Sequence, residues 1–199
     1  MDIVKEVLRL KNIEAIRTLI AKYALAADAY SPPDMMRPLF SRLAGWHCAV
    51  LGAHYDGLDA VTKGLAQVRE RAVLWTMHFN VAPLIEVSDD GTTGTAFWYL
   101  WELARTNMDG GTERQNTWIA GSYQAVVLLE DDTWRFGRMD LSLRLVAPAG
   151  GPAWPVDYPV ANRAATQESR SPLRATISSV GDYMPRLTMP EKSDYELRA

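Results

Sequence analysis

Among the residues that could do chemistry, His78 has the most informative position. It lies in Trp75-Thr76-Met77-His78-Phe79-Asn80, at the start of an apolar run typical of a β-strand. Because strand side chains alternate, His78 points to one face while Met77 and Phe79 point to the other. A histidine on the inner face of a curved sheet can act as a general base, because imidazole takes and returns protons near neutral pH. The alternative is a hydrogen-bonded core histidine without a chemical role.

Carboxylates and a phenol are the other groups of interest. Glu102 lies among large apolar side chains in residues 97–103. If it is buried it must be paired or neutral, so it is either a general acid with a raised pKa or one half of a structural ion pair. Tyr23 could donate its hydroxyl to a substrate oxygen or simply pack in the core. Asp28 could orient His78 by accepting a ring N–H. Its alternative is a solvated residue near a helix C-terminus, where the helix dipole disfavours negative charge.

The elements that position these residues begin with helices. Apolar residues recur at steps of three and four in residues 9–29, which predicts an amphipathic helix ended by Pro32-Pro33. Asp34 is the predicted N-cap of a short helix reaching about residue 42. A short strand (46–51), a turn (52–57) and a third helix (58–72) follow.

The pattern then changes to strands. Four runs, at 74–87, 93–107, 113–130 and 133–146, are separated by Asp- and Gly-rich turn signals. This order predicts an α+β domain over residues 1–146, with helices covering one face of a long curved antiparallel sheet. Residues 147–199 are rich in proline. We expect this extension to pack on the body or on a neighbouring subunit.

Composition excludes several functions. The net charge of −3 and the absence of a basic run argue against nucleic-acid binding. No apolar stretch is long enough to span a membrane, and the first residues carry charges where a signal peptide is apolar, so we expect a cytoplasmic protein. The lone Cys48 is expected to be a core residue. His47 and His54 are expected at the surface or in loops. Neither a metal-ligand spacing nor a phosphate loop is present, so we expect no metal and no cofactor.

The element order and four residue positions together resemble the NTF2-like cone, in its SnoaL-like and scytalone dehydratase-like branch. The match covers about residues 10–146. Its four positions are Tyr23 and Asp28 in the first helix, the turn His54-Tyr55-Asp56-Gly57, His78 followed by Asn80 in the strand, and Glu102 in the next strand. The spacing is similar to that of bile-acid and steroid dehydratases, and the Asp28–His78 separation to that of hexachlorocyclohexane dehydrochlorinases. The chain departs from scytalone dehydratase itself because no second histidine follows His78.

The resemblance implies a cofactor-independent lyase that acts on a hydrophobic, aromatic or polycyclic, hydroxylated small molecule. In the implied β-elimination, which is a dehydration or a retro-aldol cleavage, His78 is the base, Asp28 its partner, and Tyr23 or Glu102 assists the leaving group. Additional candidates for substrate binding are Tyr55, Asn80, Trp98 and Tyr123.

The same residues are compatible with two other functions, and the aromatic residues of the sheet also predict a homo-oligomer. An isomerase would use the same proton transfer, and a non-catalytic binding or assembly module would need no dyad. The many aromatics on a curved sheet predict a homodimer or homotrimer, because a monomer would expose a large apolar patch.

Overall fold

The computed structural model describes residues 2–71, 73–107 and 114–150. Their elements are helix α1 (Ile3–Asp28), helix α2 (Pro33–Met36), a 3-10 turn (Arg37–Leu39), strand β1 (Phe40–Cys48), a second 3-10 turn (Ala49–Leu51), strand β2 (Ala53–Asp56), helix α3 (Leu58–Arg71) and strands β3 (Val73–Val87), β4 (Thr93–Thr106), β5 (Gln115–Glu130) and β6 (Thr133–Pro148). The predicted α+β class, with a helix packed on a long sheet, is confirmed.

Helix α1 begins at Ile3, six residues before the predicted start. The Asp2 side chain caps it by accepting hydrogen bonds from the backbone N–H groups of Val4 and Lys5, at 3.0 and 3.3 Å. Further along, Ile16 and Ile20 are fully buried, and α1 packs mainly on β3. The helix therefore lies across the sheet with its C-terminal residue, Asp28, close to the strand that carries His78.

The sheet is mixed rather than wholly antiparallel. Its order is β2-β1-β6-β5-β4-β3, and the meander β3 to β6 is antiparallel as predicted. Strand β1, however, pairs with β6 in parallel. A parallel neighbour requires a long connection, and the chain between these two strands supplies one in the form of β2, α3 and three further strands. Register shifts in three strand pairs bend the sheet into its curved form.

The region between the first helix and α3 differs from the prediction in three places. The helix expected from Asp34 to about residue 42 ends at Met36. Pro38, which lacks an N–H, falls in the 3-10 turn that follows, and β1 begins at Phe40. Of the strand expected at 46–51, residues 46–48 are the end of β1, and residues 49–51 form the second 3-10 turn instead. The expected turn contains the short strand β2, which pairs with β1.

The core lies between α1, α3 and the concave face of the sheet. Its centre is an aromatic cluster in which the ring of Tyr23 makes edge contacts with Phe40, Tyr123 and Phe136. Trp98 is fully buried and stacks on Tyr123. The described residues belong to one compact unit, Met1–Gly151. The proline-rich extension at 147–199 falls almost entirely outside the described residues, so its expected packing stays a prediction.

Candidate functional site

His78 and Asp28 are in direct contact. The ring Nδ1 of His78 lies 2.7 Å from Oδ1 of Asp28, inside the hydrogen-bond range. The carboxylate of Asp28 also accepts the Thr76 hydroxyl at 2.9 Å and the backbone N–H of His78 at 3.1 Å. In the described part of the chain β3 is an edge strand, so this N–H faces no neighbouring strand there, and the end of α1 fills that place.

The electrostatics keep Asp28 ionised. Burial favours its neutral form, but hydrogen bonds from the His78 ring and backbone and from Thr76 outweigh burial and hold the pKa of Asp28 below its usual range. An ionised Asp28 accepts the proton on Nδ1, which leaves the lone pair of His78 on Nε2. The side chain of His78 is 8% exposed, and it lines a pocket on the concave side of the sheet.

Glu102 lies on the other side of the imidazole. It is the cross-strand partner of His78 in the β3–β4 pair, and its Oε2 is 3.6 Å from Nε2 of His78. Burial raises the pKa of Glu102, and the charges of His78 and Arg69 only partly oppose this effect. This shift favours the protonated form of Glu102, which can donate a proton to a substrate atom bound beside the two side chains.

The pocket is mostly apolar with one polar end. The empty space in and around its mouth is roughly 580 Å³, a volume that includes open solvent. Arg69, Thr76, His78 and Glu102 form its polar end. The remaining wall is largely aliphatic and aromatic and includes Trp46, Leu51, Leu65, Val68, Val73, Ile119, Leu141 and Leu143.

Tyr23 also lines the pocket, within a chain of polar groups. Its oxygen accepts a hydrogen bond from Trp46 Nε1 at 3.0 Å, and it is hydrogen-bonded to Tyr123. Burial is the main reason that the pKa of Tyr123 lies well above its ordinary value. Burial raises the pKa of Tyr23 to about 12, so the phenol remains a donor.

The other predicted binding residues are less well placed. Tyr123 lines the pocket, but Tyr55, Asn80 and Trp98 are not part of the lining. Tyr55 stacks on Trp46 behind the wall, Asn80 donates to the carbonyl of Ile20, and Trp98 packs beneath Tyr123. These three can support the pocket wall, whereas contact with a substrate is open only to Tyr123.

Three residues at the site were missed from the sequence. Trp46 and Thr76 gave weak signals, although Thr76 precedes His78 by two residues and so shares its face of the strand. Arg69 gave a clearer signal in the sequence. It follows Val61 and Leu65 at four-residue spacing, which puts a charged side chain on the apolar stripe of α3.

A separate cluster lies at the other end of the sheet. His47 and His54 face each other across β1 and β2 with their rings stacked at 3.9 Å, and both contact Asp56, at 3.0 and 2.9 Å. These three residues could offer ligand atoms to a divalent cation. The spacing rules applied to the sequence did not find them, because they are brought together by strand pairing. Cys48 nearby is buried, and burial raises the pKa of its thiol to about 11, as expected for a core residue.

Comparison with known proteins identifies similar domains and folds. The model of a SnoaL-like domain matches residues 8–140. A structure from Novosphingobium aromaticivorans, provisionally named a scytalone dehydratase, is 22% identical with a TM-score of 0.62, over 74% of this chain and 94% of that one. A hexachlorocyclohexane dehydrochlorinase, LinA type 2, is 18% identical with a TM-score of 0.64, over 76% and 99%. The LinA type 3 enzyme of Novosphingobium barchaimii is 16% identical with a TM-score of 0.61, over 75% and 97%.

At these identities the structures demonstrate a shared fold. No curated protein sequence shows significant similarity to the chain. Among the helices of the described residues, none has both the length and the apolar character needed to cross a membrane.

Proposed function

The chain belongs to the SnoaL-like domain family, and from this premise we propose that it is a cofactor-independent lyase that performs a β-elimination on a hydrophobic, hydroxylated small molecule. The observation that carries the proposal is the 2.7 Å contact between Nδ1 of His78 and Asp28, together with the position of His78 on the pocket wall. The named relatives include a dehydratase and dehydrochlorinases, whose reactions are eliminations.

In the proposed mechanism, His78 removes a proton from carbon through Nε2. Asp28 fixes the tautomer before the reaction and stabilises the imidazolium that forms. The pair of electrons released from the C–H bond forms the double bond as the C–O bond breaks. Glu102 or Tyr23 donates a proton to the departing oxygen, so that the leaving group is water. The apolar wall excludes bulk water and accommodates the carbon skeleton of the substrate.

An isomerase is the second candidate, and one specific observation favours it. Glu102 lies 3.6 Å from the same nitrogen of His78, so a proton taken from one carbon could be returned nearby without loss of a leaving group. A binding module without catalysis would make no use of a histidine that is held in one tautomer.

Product identification separates these functions. The purified protein is incubated with a panel of aromatic and steroidal alcohols, and products are analysed by mass spectrometry and NMR. A lyase gives products that have lost water, an isomerase gives products of unchanged mass with a shifted double bond, and a binding module gives neither. Unchanged substrate across a panel whose members bind to the protein would refute the lyase proposal.

The predicted homo-oligomer remains a proposal, with a second copy of the chain as partner. Four outward side chains of β3, Trp75, Met77, Phe79 and Val81, are each 40–49% exposed and form an apolar row on an edge strand. Light scattering checks this assembly: a mass close to the 22.2 kDa of one chain at micromolar concentration would refute it.

A further inference from the structure

The pocket contains one buried cation that the proposed elimination does not use. Arg69 comes from α3, lines the pocket beside His78 and Glu102, and is 7% exposed. Its stem continues the apolar stripe of Val61 and Leu65, so the helix directs the guanidinium towards the sheet. Among the described residues that line the pocket, Arg69 is the one that carries a permanent positive charge.

The guanidinium of Arg69 is unsatisfied. None of its three nitrogens has a hydrogen-bond partner among the described residues. Its guanidinium carbon lies over the Tyr30 ring, 4.9 Å from the ring centroid. Arginine stays protonated in proteins, and a buried charge without hydrogen bonds is costly. Because this group lies in a pocket wall, a bound ligand can supply the missing hydrogen-bond acceptors.

The nearby carboxylates do not supply that partner. Asp28 is already engaged by His78 and Thr76. Glu102 faces Nε2 of His78 at 3.6 Å, and in the described chain it makes no ion pair with Arg69. The polar end of the pocket therefore has a cation whose N–H groups are unused, although the charges of Glu102 and Asp28 act on it from nearby.

We propose that Arg69 binds a carboxylate of the substrate, so that the substrate class is an apolar hydroxylated carboxylic acid. This inference rests on the proposed function, because it assigns the same pocket to that substrate. The planar guanidinium has two parallel N–H groups that match the two oxygens of a carboxylate. One cation in the lining balances a monoanion better than a phosphate, which carries more charge. The acid would be held at Arg69 while its apolar body contacts the Trp46 and Ile119 side of the pocket.

A binding experiment tests the proposal without turnover. Isothermal titration calorimetry at pH 7 compares 3-phenylpropionate with 3-phenylpropionamide, which has a similar shape but no charge. We expect the full-length wild-type chain to bind the acid about 10- to 100-fold more tightly than the amide, as expected for charge-assisted hydrogen bonds. In Arg69→Gln the preference should disappear. Arg42→Gln, which changes an exposed arginine of β1, should keep it.

Two further variants guard against misfolding and against confusion with the catalytic proposal. Arg69→Met keeps the length of the stem, and it should fold and lose the preference as Arg69→Gln does. His78→Ala should keep the preference for the acid while it loses turnover. Equal binding of acid and amide to the wild type, binding of neither, or a preference that survives in Arg69→Gln would each overturn the carboxylate assignment. Turnover without a preference for the acid would refute the carboxylate assignment and leave the lyase proposal standing. A preference for the acid without turnover would support the carboxylate assignment and count against the lyase proposal.

Discussion

Replacement of Asp28 by asparagine probes how the histidine is activated. The carboxylate receives three hydrogen bonds, from the Thr76 hydroxyl and from the ring and backbone of His78. The amide of the Asp28→Asn variant would keep one carbonyl acceptor but lose the negative charge, and its NH₂ group favours the wrong tautomer of the ring. The variant should therefore fold but lose its ability to stabilise the imidazolium.

The magnitude follows from the geometry of the pair. Unit charges about 4 Å apart attract by about 4 kcal/mol at an effective dielectric of 20. The Asp28 side chain is 28% exposed, and solvent therefore weakens the attraction between the two charges. The lost stabilisation is expected to lie between roughly 2 and about 4 kcal/mol. Since about 1.4 kcal/mol corresponds to a tenfold change in rate, Asp28→Asn should lower kcat by about 30- to 1,000-fold.

The assay measures kcat with a substrate found in the product screen, alongside thermal unfolding by circular dichroism. The lost hydrogen bonds cost about 1 kcal/mol each, and the relief of an unfavourable helix-dipole contact at the end of α1 offsets part of this cost. Asp34→Asn, an exposed change in α2, is the matched control and should keep wild-type kcat. A wild-type kcat in Asp28→Asn would refute the reasoning, and so would a loss of kcat fully explained by unfolding.

Three further predictions concern buried polar groups of the pocket. For Glu102→Gln, the raised pKa of Glu102 means that the wild type loses stability as pH rises from 4.5, the ordinary value, towards the folded-state pKa. The variant should thus gain stability relative to wild type between pH 4.5 and 7.5 in urea unfolding, and a difference that is the same at both pH values would contradict this. Tyr23→Phe removes the acceptor of the buried Trp46 N–H and should cost about 1–3 kcal/mol of unfolding free energy, whereas unchanged urea denaturation would show that the bond is unimportant. Arg69→Met removes a buried charge without hydrogen bonds and should keep or raise the midpoint of thermal unfolding. The free energy lost with the Tyr30 ring contact is smaller than the desolvation cost that the variant avoids. A clear drop in the midpoint would show that Arg69 has a structural role.

Much of the sheet could be predicted from local patterns. The alternation around His78 correctly assigned the residue to the inner face, since Met77 and Phe79 are 45% and 40% exposed on the other side. The turn signal at Asp89-Asp90-Gly91 predicted the hairpin but not the register at the site. Beside the turn, Val87 pairs with Gly94, and that register alone would place His78 opposite Leu103. An irregularity between Val81 and Leu84 shifts the pairing by one residue, so His78 lies opposite Glu102.

Interactions between elements were beyond local patterns. The contact of Asp28 with His78 depends on how α1 crosses β3, and the sequence alone supplied it only through a resemblance. The parallel pairing of β1 with β6 was not predicted, because strand direction in a non-sequential pair leaves no local signal. The partnerless state of Arg69 is likewise a property of the packed pocket, although its place on the stripe of α3 could have been noticed.

The most direct test of the proposed chemistry is the turnover number of His78→Ala on a substrate identified by the product screen. His54→Ala serves as the matched control, because His54 is an exposed histidine of β2 outside the pocket lining. If His78 is the base, kcat should fall by about 10²- to 10⁴-fold in His78→Ala and should stay at the wild-type value in His54→Ala. A folded His78→Ala protein that retains kcat within about twofold of wild type would contradict the central claim.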